Sequence, residues 1–373
     1  MRRAGLHVII VVIVAITGFS TIRTASPTAE TDDKRTLGVS ATTDGSSVAN
    51  QTLSEACAPN GFSTCITAWV QGEAERVGVL ATATVVADLS DPFNARWCHE
   101  SLHALGKYQA RQTTKVEIAV NVAAVPGVCQ YGFQHGFAVG LAEQYGNEDE
   151  GSFLDLMSVM CDGFPETGQN FSSCIHGIGH AVSTVEPADL VKAASMCYVL
   201  GASQRWCVSG AVMEWGSRLG VNQIRTQGVV NLYGTCQQIA ENAKDPSVLI
   251  SCLDEMPALV VAASSRADAL AWCDSLEVDN EAAHCGLGTG FTLANEAPAT
   301  NERVIEACST SVRTSVLGGC LKGAIEVLYP RATASDPELL AQICSAQTDS
   351  KVREICEEGL QTARDIKKTA PVI

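Results

Sequence analysis

The sequence predicts an all-α protein: a right-handed array of αα-hairpin repeats of about 36 residues, stapled by disulfides. Three observations support this fold class: the helical spacing of apolar residues, the absence of strand-like alternation and a regular interval between cysteines. The apolar residues that precede many cysteines have helical spacing, as in PADLVKAASMC. Convincing strand alternation is absent, and aromatic residues make up only 5% of the chain. The cysteine period itself is an interval of 35 to 39 residues between successive members of one set: Cys161, Cys197, Cys236, Cys273, Cys308 and Cys344.

A second set of cysteines leads the other segment of each unit. Its members are Cys65, Cys98, Cys129, Cys174, Cys207, Cys252, Cys285, Cys320 and Cys356. In six of these segments the third residue after the cysteine is glycine: Gly132, Gly177, Gly210, Gly288, Gly323 and Gly359. A glycine inside a helix costs roughly 1 kcal/mol, so its recurrence predicts close backbone approach between neighbouring helices. We expect the first helix of each unit to end at its cysteine and the second to begin near the cysteine that leads it.

The cysteines also predict a disulfide framework. Pairing within each unit gives Cys57–Cys65, Cys161–Cys174, Cys197–Cys207, Cys236–Cys252, Cys273–Cys285, Cys308–Cys320 and Cys344–Cys356. Cys98 and Cys129 then remain and could bridge each other. The alternative, in which bridges link one unit to the next, stays open because sequence does not determine connectivity.

In unit length and cysteine use, residues 150 to 366 resemble the secreted, disulfide-bridged Sel1-like helical repeat proteins, which are TPR-like in architecture. The resemblance implies a superhelical all-α array. It implies no particular activity.

The N-terminus predicts export. Arg2 and Arg3 precede an apolar run from Leu6 to Phe19, which is typical of a signal peptide or an N-terminal anchor over residues 1–25. We interpret residues 26–52 as a disordered linker, residues 53–150 as a helical part that carries histidine motifs, and residues 151–368 as the cysteine-paired repeats. Together with the sixteen cysteines, this predicts an extracellular, cell-surface or periplasmic protein.

The net charge of −16 at pH 7 argues against nucleic acid or an anionic membrane surface as a partner. We therefore expect membrane contact only through an uncleaved N-terminal anchor. A peptide or small-molecule ligand is compatible with this composition.

Histidines are concentrated in three of the cysteine-led segments: His99, His103, His135, His176 and His180. A His-x-x-x-His spacing puts two imidazoles on one helical face about 5–6 Å apart. If the units stack in register, His103, His135 and His180 converge, with His99 and His176 one helical turn earlier, and we expect the five to form a metal site. Imidazole donors suit zinc first, then copper or non-haem iron. The alternative is that these histidines are structural or contact a ligand without binding a metal. We expect His284 to be structural.

The stretch CHESLHALG resembles the zinc helix of the metzincin peptidases, HExxHxxG. The resemblance implies zinc ligands at His99 and His103 and a general base at Glu100. The position of the third ligand, however, holds Gln109 instead of histidine. The related motif from His176 to His180 has Gly177 where a base would lie. A repeated structural unit therefore explains the stretch better than a peptidase does. If the site is catalytic, Glu100 is the candidate catalytic residue.

From the sequence we expect an exported, disulfide-rich helical repeat protein with a His-rich metal-binding centre, which could serve a metal-dependent hydrolase or oxidase. The alternative is a metal-free repeat scaffold that binds a peptide or glycan through its concave face. The residues do not decide whether the protein is an enzyme.

Overall fold

The computed structural model describes residues 62–89, 95–166, 168–227, 231–295, 301–331 and 336–369. All of them belong to one compact unit, Thr43–Ile373. The predicted export segment (1–25), the predicted linker (26–52) and Cys57 lie outside the described residues.

Every regular element in the described ranges is helical, and none is a strand, which confirms the predicted all-α class. The α-helices in chain order are α1 (Phe62–Val77), α2 (Val79–Leu89), α3 (Ala95–Gln112), α4 (Ile118–Ala123), α5 (Gly132–Tyr145), α6 (Glu150–Met160), α7 (Gln169–Val185), α8 (Leu190–Met196), α9 (Gln204–Trp215), α10 (Val221–Gln227), α11 (Leu232–Ala243), α12 (Pro246–Ala263), α13 (Arg266–Asp274), α14 (Asp279–Asn295), α15 (Asn301–Cys308), α16 (Thr314–Arg331), α17 (Asp336–Ser345) and α18 (Ser350–Thr369). Short 3₁₀ turns cover Lys115–Glu117, Cys129–Tyr131 and Cys197–Ser203, and a π-helical turn covers Gly216–Gly220.

The cysteine-led helices begin earlier than predicted. Cys252 and Cys285 lie six residues after the first residues of α12 and α14, at Pro246 and Asp279. The reason is visible at α12, where the side chain of Asp245 caps the helix by accepting from the backbone N–H of Ser247 at 2.9 Å. A capping Asp followed by Pro in the first turn is a strong helix start. The cap therefore determines where the helix begins, and the cysteine falls inside it.

Seven disulfides in the described residues follow the predicted within-unit pairing and include the Cys98–Cys129 bridge, with Cα atoms 5.4–5.8 Å apart. The alternative pairing between units is therefore wrong for these cysteines. Six of the bridges close short loops, of 10 to 16 residues. In the chain-entropy model, a loop of this size contributes roughly 3 kcal/mol by restricting the unfolded chain.

The cysteine-led helices pack on one another in chain order and form what we call the helix row. Its members are α1, α3, α5, α7, α9, α12, α14, α16 and α18, and each contacts the next. The remaining helices pack against this row, and several of them are also joined to it by a cysteine bridge. The right-handed superhelical arrangement of the row stays a prediction.

The recurring glycines lie at the contacts within the row, as predicted. A Cβ atom on Gly210 would overlap the carbonyl oxygen of His176, and one on Gly288 would overlap that of Asp254. At all six glycine positions a Cβ would come within 3.1 Å of the backbone of the preceding row helix. Glycine is therefore needed for neighbouring backbones to approach this closely.

One described helix, α12, is long and apolar enough to cross a membrane by length and composition. Core helices share these properties, and α12 packs against α9, α11 and α14. Its residues Val248, Leu253 and Met256 are fully buried. We therefore assign α12 to the protein core.

Candidate metal centre

The histidines that the sequence singled out lie together on three successive row helices, and we call them the histidine cluster. His99 and His103 lie on α3 with their ring centroids 5.7 Å apart. His176 and His180 lie on α7 with centroids 5.1 Å apart. His135 lies on α5, between the two pairs.

His135 is the centre of this cluster. Its ring centroid lies 5.2 Å from that of His99 and 6.4 Å from that of His103. On the other side, the rings of His176 and His180 lie 4.8 and 4.9 Å away. Residues separated by up to 81 positions in the chain are thus gathered around one imidazole.

The glycine contacts explain why the rings come so close. A Cβ atom on Gly132 would overlap the carbonyl oxygen of His99, and one on Gly136 would overlap that of His103. The backbone of α5 therefore lies directly against α3 at the two turns that carry histidines. Gly177 makes the equivalent approach between α7 and α5, where a Cβ would lie 3.1 Å from the carbonyl oxygen of Gln134.

His99 is oriented by a constrained turn. Its Nδ1 donates to the carbonyl oxygen of Cys129 at 3.0 Å, so we assign the lone pair to Nε2. Cys129, Gln130 and Tyr131 all have positive φ, between 52° and 60°, a conformation that is costly for residues other than glycine. The bridge from Cys98 to Cys129 joins this turn to the helix that carries His99.

His180 is oriented by a buried carboxylate. Its Nδ1 donates to Oε2 of Glu214 at 2.9 Å, and Nε of Arg218 donates to Oε1 of the same carboxylate at 2.5 Å. Burial raises the pKa of Glu214, but the hydrogen bond from His180 and the charge of Arg218 outweigh it and lower this pKa to about 2. Glu214 is therefore ionised at neutral pH and holds His180 in the tautomer whose Nε2 can bind a ligand.

His176 is oriented by a longer relay. The hydroxyl of Ser209 donates to Oε1 of Glu255 at 2.6 Å, and its oxygen lies 3.1 Å from Nδ1 of His176. Because the hydroxyl proton points to Glu255, we assign the Nδ1 proton to His176, which leaves its Nε2 with a lone pair. Burial raises the pKa of Glu255 to about 7, although the bond from Ser209 opposes this.

Buried nitrogens without a partner are the most unusual feature of the cluster. Among the described residues, neither Nδ1 nor Nε2 of His135 has a hydrogen-bond partner, and nor does Nε2 of His180. Both side chains are buried, with 6% and 4% of their surface exposed. A buried polar atom without a partner costs about 1–3 kcal/mol, so such groups in a folded protein require an explanation.

One ligand atom from each of His135, His176 and His180 can be chosen so that all three lie within 4.8 Å of one another. Burial lowers the pKa of His135 and His176 well below the usual histidine value, and the neighbouring imidazoles lower it further. The rings of His135 and His176 are therefore neutral at pH 7. A neutral imidazole is the form that binds a metal.

Comparison with protein-family models, with curated proteins and with solved structures gives no match for this chain. The function is therefore inferred from the side chains of the site, because a fold class by itself does not determine an activity.

Two other residues from the HExxH interpretation lie on the same helix as His99. Glu100 is partly buried. Burial lowers the pKa of His99, and the charge of Glu100 opposes this shift; the role of Glu100 as a general base stays a prediction. Gln109, at the position of the third peptidase ligand, donates to the hydroxyl of Thr113 at 3.4 Å. His284 lies on α14, and its Nδ1 donates to Asp254 at 2.9 Å.

Sequence reasoning missed the orienting role of Ser209 and Glu255. A signal for Ser209 exists: it follows Cys207 by two residues, as His176 follows Cys174. Equivalent positions on neighbouring row helices are adjacent in space, so the register alone could have paired Ser209 with His176. No comparable signal identifies Glu255, which lies three residues after its cysteine, where six other segments have glycine.

Proposed function

We propose that this chain is an extracytoplasmic metal-binding protein whose histidine cluster takes zinc, with copper or non-haem iron as the other metals that suit the same donors. The observation that carries this proposal is His135: a buried imidazole whose two nitrogens have no partner in the described part of the chain, surrounded by four other imidazoles. With all described cysteines oxidised, the donors are nitrogen atoms, a set that suits zinc and copper.

The hydrogen bonds around the cluster favour metal ligands over purely structural histidines. Structural histidines are expected to have their buried nitrogens paired within the protein. Here His99, His176 and His180 each have Nδ1 bonded to an acceptor and Nε2 directed elsewhere. Outer-shell acceptors of this kind, with Glu214 and Cys129 as two examples, are typical of metal-ligating histidines.

A bound metal ion would supply Lewis-acid chemistry and a water of lowered pKa. We propose that Glu100, which adjoins His99, is the general base if the centre is hydrolytic. Substitution Glu100→Gln keeps the shape and removes the base. A loss of hydrolytic rate at unchanged metal content would support this role, and an unchanged rate would contradict it.

The seven described disulfides fit an oxidising, extracytoplasmic compartment. The apolar run from Leu6 to Phe19 behind two arginines supports the finer proposal of an exported protein, either released or held at the cell surface by this segment.

Elemental analysis of the full-length chain, purified from an oxidising compartment with its disulfides intact, tests metal binding. We expect stoichiometric metal in the wild type and its loss in a His176→Ala, His180→Ala double variant that keeps its helical circular dichroism. His284→Ala is the matched control and should retain the metal. Wild-type protein that is metal-free and not stabilised by added zinc or copper would contradict the proposal. The expected alternative would then be a metal-free scaffold for a peptide or glycan.

A further inference from the structure

We propose that the histidine cluster holds two metal ions, with His135 as the bridge between them. One ion would be held by His135, His176 and His180, and the other by His135, His99 and His103. This inference rests on the proposed metal binding and adds its stoichiometry and the role of the central ring.

The position of His135 is the first argument. The two flanking pairs lie on helices that are not adjacent in the row, and α5 separates them. The ring of His135 lies within 6.4 Å of all four other rings. The two pairs themselves approach each other at His103 and His180, whose centroids are 5.7 Å apart. A single imidazole is thus placed between two potential pairs of ligands.

The state of the two nitrogens of His135 is the second argument. In an ordinary metal-ligating histidine, one nitrogen binds the metal and the other donates to a protein acceptor. His99, His176 and His180 follow this pattern with Cys129, Ser209 and Glu214 respectively. His135 departs from it, because both of its nitrogens are buried and neither has a partner among the described residues. A second metal ion would give the second nitrogen a partner.

The spacing of the rings is the third argument. Metal–nitrogen bonds of about 2.0–2.1 Å in tetrahedral geometry place the centroids of three imidazoles roughly 5 Å apart. The trio of His135, His176 and His180 has centroids 4.8–5.1 Å apart. The trio of His135, His99 and His103 is wider, at 5.2–6.4 Å, so its rings would have to move closer together by side-chain rotation to hold an ion.

Charge and atom balance are consistent with a bridge. When the second ion binds, the remaining N–H bond of His135 breaks, a nitrogen–metal bond forms, and the proton leaves to solvent. The ring then carries one negative charge between two cations, and no oxidant or reductant is needed. Two carboxyl groups add negative charge nearby: Glu214 accepts from Nδ1 of His180 at 2.9 Å, and Glu100 adjoins His99 in the sequence.

Copper(II) is the probe that tests the bridge, because two copper(II) ions joined by one imidazole ring couple magnetically. The full-length chain would be loaded with copper(II), its copper counted per chain, and its spins counted by electron paramagnetic resonance at falling temperature. We expect two copper ions per chain and a spin count that falls below two on cooling. In His103→Ala we expect one copper ion with a full one-spin signal. His284→Ala should match the wild type.

The remaining outcomes separate this inference from the proposed function. One copper ion per chain in the wild type, lost in His176→Ala, His180→Ala, would overturn the second site and leave metal binding intact. Two copper ions with two uncoupled spins would overturn the bridge. No bound copper would overturn the bridge, and no bound copper together with no bound zinc would overturn both proposals. Circular dichroism and free-thiol assays establish that each variant is folded, and a His99→Ala variant replaces His103→Ala if the latter does not fold.

Discussion

The early and late parts of the helix row are built alike and carry different chemistry. We compare the early row, α3, α5 and α7, with the late row, α12, α14 and α16. In both, glycines lie against neighbouring carbonyl groups, and each helix has a cysteine bridge within it or, for α5, in the turn that leads into it. Two residues after the leading cysteine, the early row has His176 where the late row has Asp254 and Lys322. The scaffold therefore determines where side chains meet, and residue identity determines what they can bind.

The late row differs from the histidine cluster because its polar side chains form hydrogen bonds and ion pairs with other side chains of the protein. His284 donates to Asp254 at 2.9 Å, and Nζ of Lys322 lies 3.4 Å from a carboxylate oxygen of Glu358. Burial raises the pKa of Glu326 to about 7, against the charge of Lys322. Paired groups of opposite charge need no external ligand, whereas an unpartnered imidazole does.

The largest expected difference between the two parts is in metal affinity. Structural zinc sites bind with about 10–16 kcal/mol over four ligands, so one ligand carries roughly 3–4 kcal/mol, or about 100- to 1,000-fold. We expect His135→Ala to weaken zinc binding by at least this factor and His284→Ala to leave it unchanged. Competition titration against a chelator of known affinity measures both. Equal losses in the two variants would show that the early row is not a distinct site.

Removal of one bridge from each part should cost similar stability. The double variant Cys161→Ala, Cys174→Ala removes a bridge between residues 13 positions apart. The double variant Cys308→Ala, Cys320→Ala removes a bridge between residues 12 positions apart. Each should lower the free energy of unfolding by about 3 kcal/mol, measured by urea unfolding. Only the first pair should also weaken metal binding, because α7 carries His176. A large metal effect from the second pair would show that the row transmits strain over several helices.

Replacement of one contact glycine by alanine in each part should change the stability of the fold by a somewhat smaller amount. A Cβ on Gly136 would overlap the carbonyl oxygen of His103, and one on Gly290 would overlap that of Cys320. Gly→Ala inside a helix normally stabilises it by about 1 kcal/mol, whereas overlap typically costs about 1–3 kcal/mol. We expect both variants to be less stable in thermal unfolding and only Gly136→Ala to lose metal affinity. A stabilised Gly136→Ala variant would contradict the close contact of α3 and α5.

Two carboxylates that accept from histidines, Glu214 and Asp254, should differ by about tenfold in their effect on metal affinity. Glu214→Gln removes the charge that orients His180, and loss of such partners costs about 10- to 100-fold in affinity. Because the amide oxygen of glutamine can still accept from His180, we expect the lower end of this range. Asp254→Asn is the matched change in the late row and should leave the affinity unaltered. Isothermal titration with zinc compares them, and equal affinities for both variants and wild type would exclude an orienting role for Glu214.

The remaining expected effects concern pH, and they have opposite signs in the two parts of the metal-free protein. Burial lowers the pKa of His135, so below about pH 6.5 the unfolded chain binds protons that the folded chain does not, and stability falls as pH falls. Burial raises the pKa of Glu326 from 4.5 to about 7. Between these values the folded chain keeps a proton that the unfolded chain releases, and stability falls as pH rises.

Variants separate the two trends. Glu326→Gln should reduce the loss of stability that accompanies rising pH between 4.5 and 7, and His135→Gln should reduce the loss that accompanies falling pH below 6.5. Urea unfolding of both variants and the wild type across pH 4.5–7.5 measures the difference. Parallel curves for all three proteins would show that neither group changes its pKa on folding.

The sequence by itself determined the repeating part of this protein. The cysteine interval predicted helical units and the pairs that bridge them, and glycine three residues after a cysteine predicted close helix contacts. The register of His135 and His180, each six residues after its cysteine, predicted that imidazoles from separate helices meet. These features repeat, and a repeated pattern can be extracted from one chain because each unit is packed by the same local contacts.

Only the tertiary structure decided which nitrogens have partners. The acceptors of His180 and His176 lie 34 and 33 residues away, and Glu255 lies 46 residues from Ser209, at distances that no local pattern encodes. Helix starts also escaped prediction, since a cap such as Asp245 moves the first turn away from the cysteine. A hydrogen bond requires atoms within about 3 Å, whereas repeat register places a side chain only to within a helical turn. The unpartnered state of His135 therefore became visible only after the helices were packed.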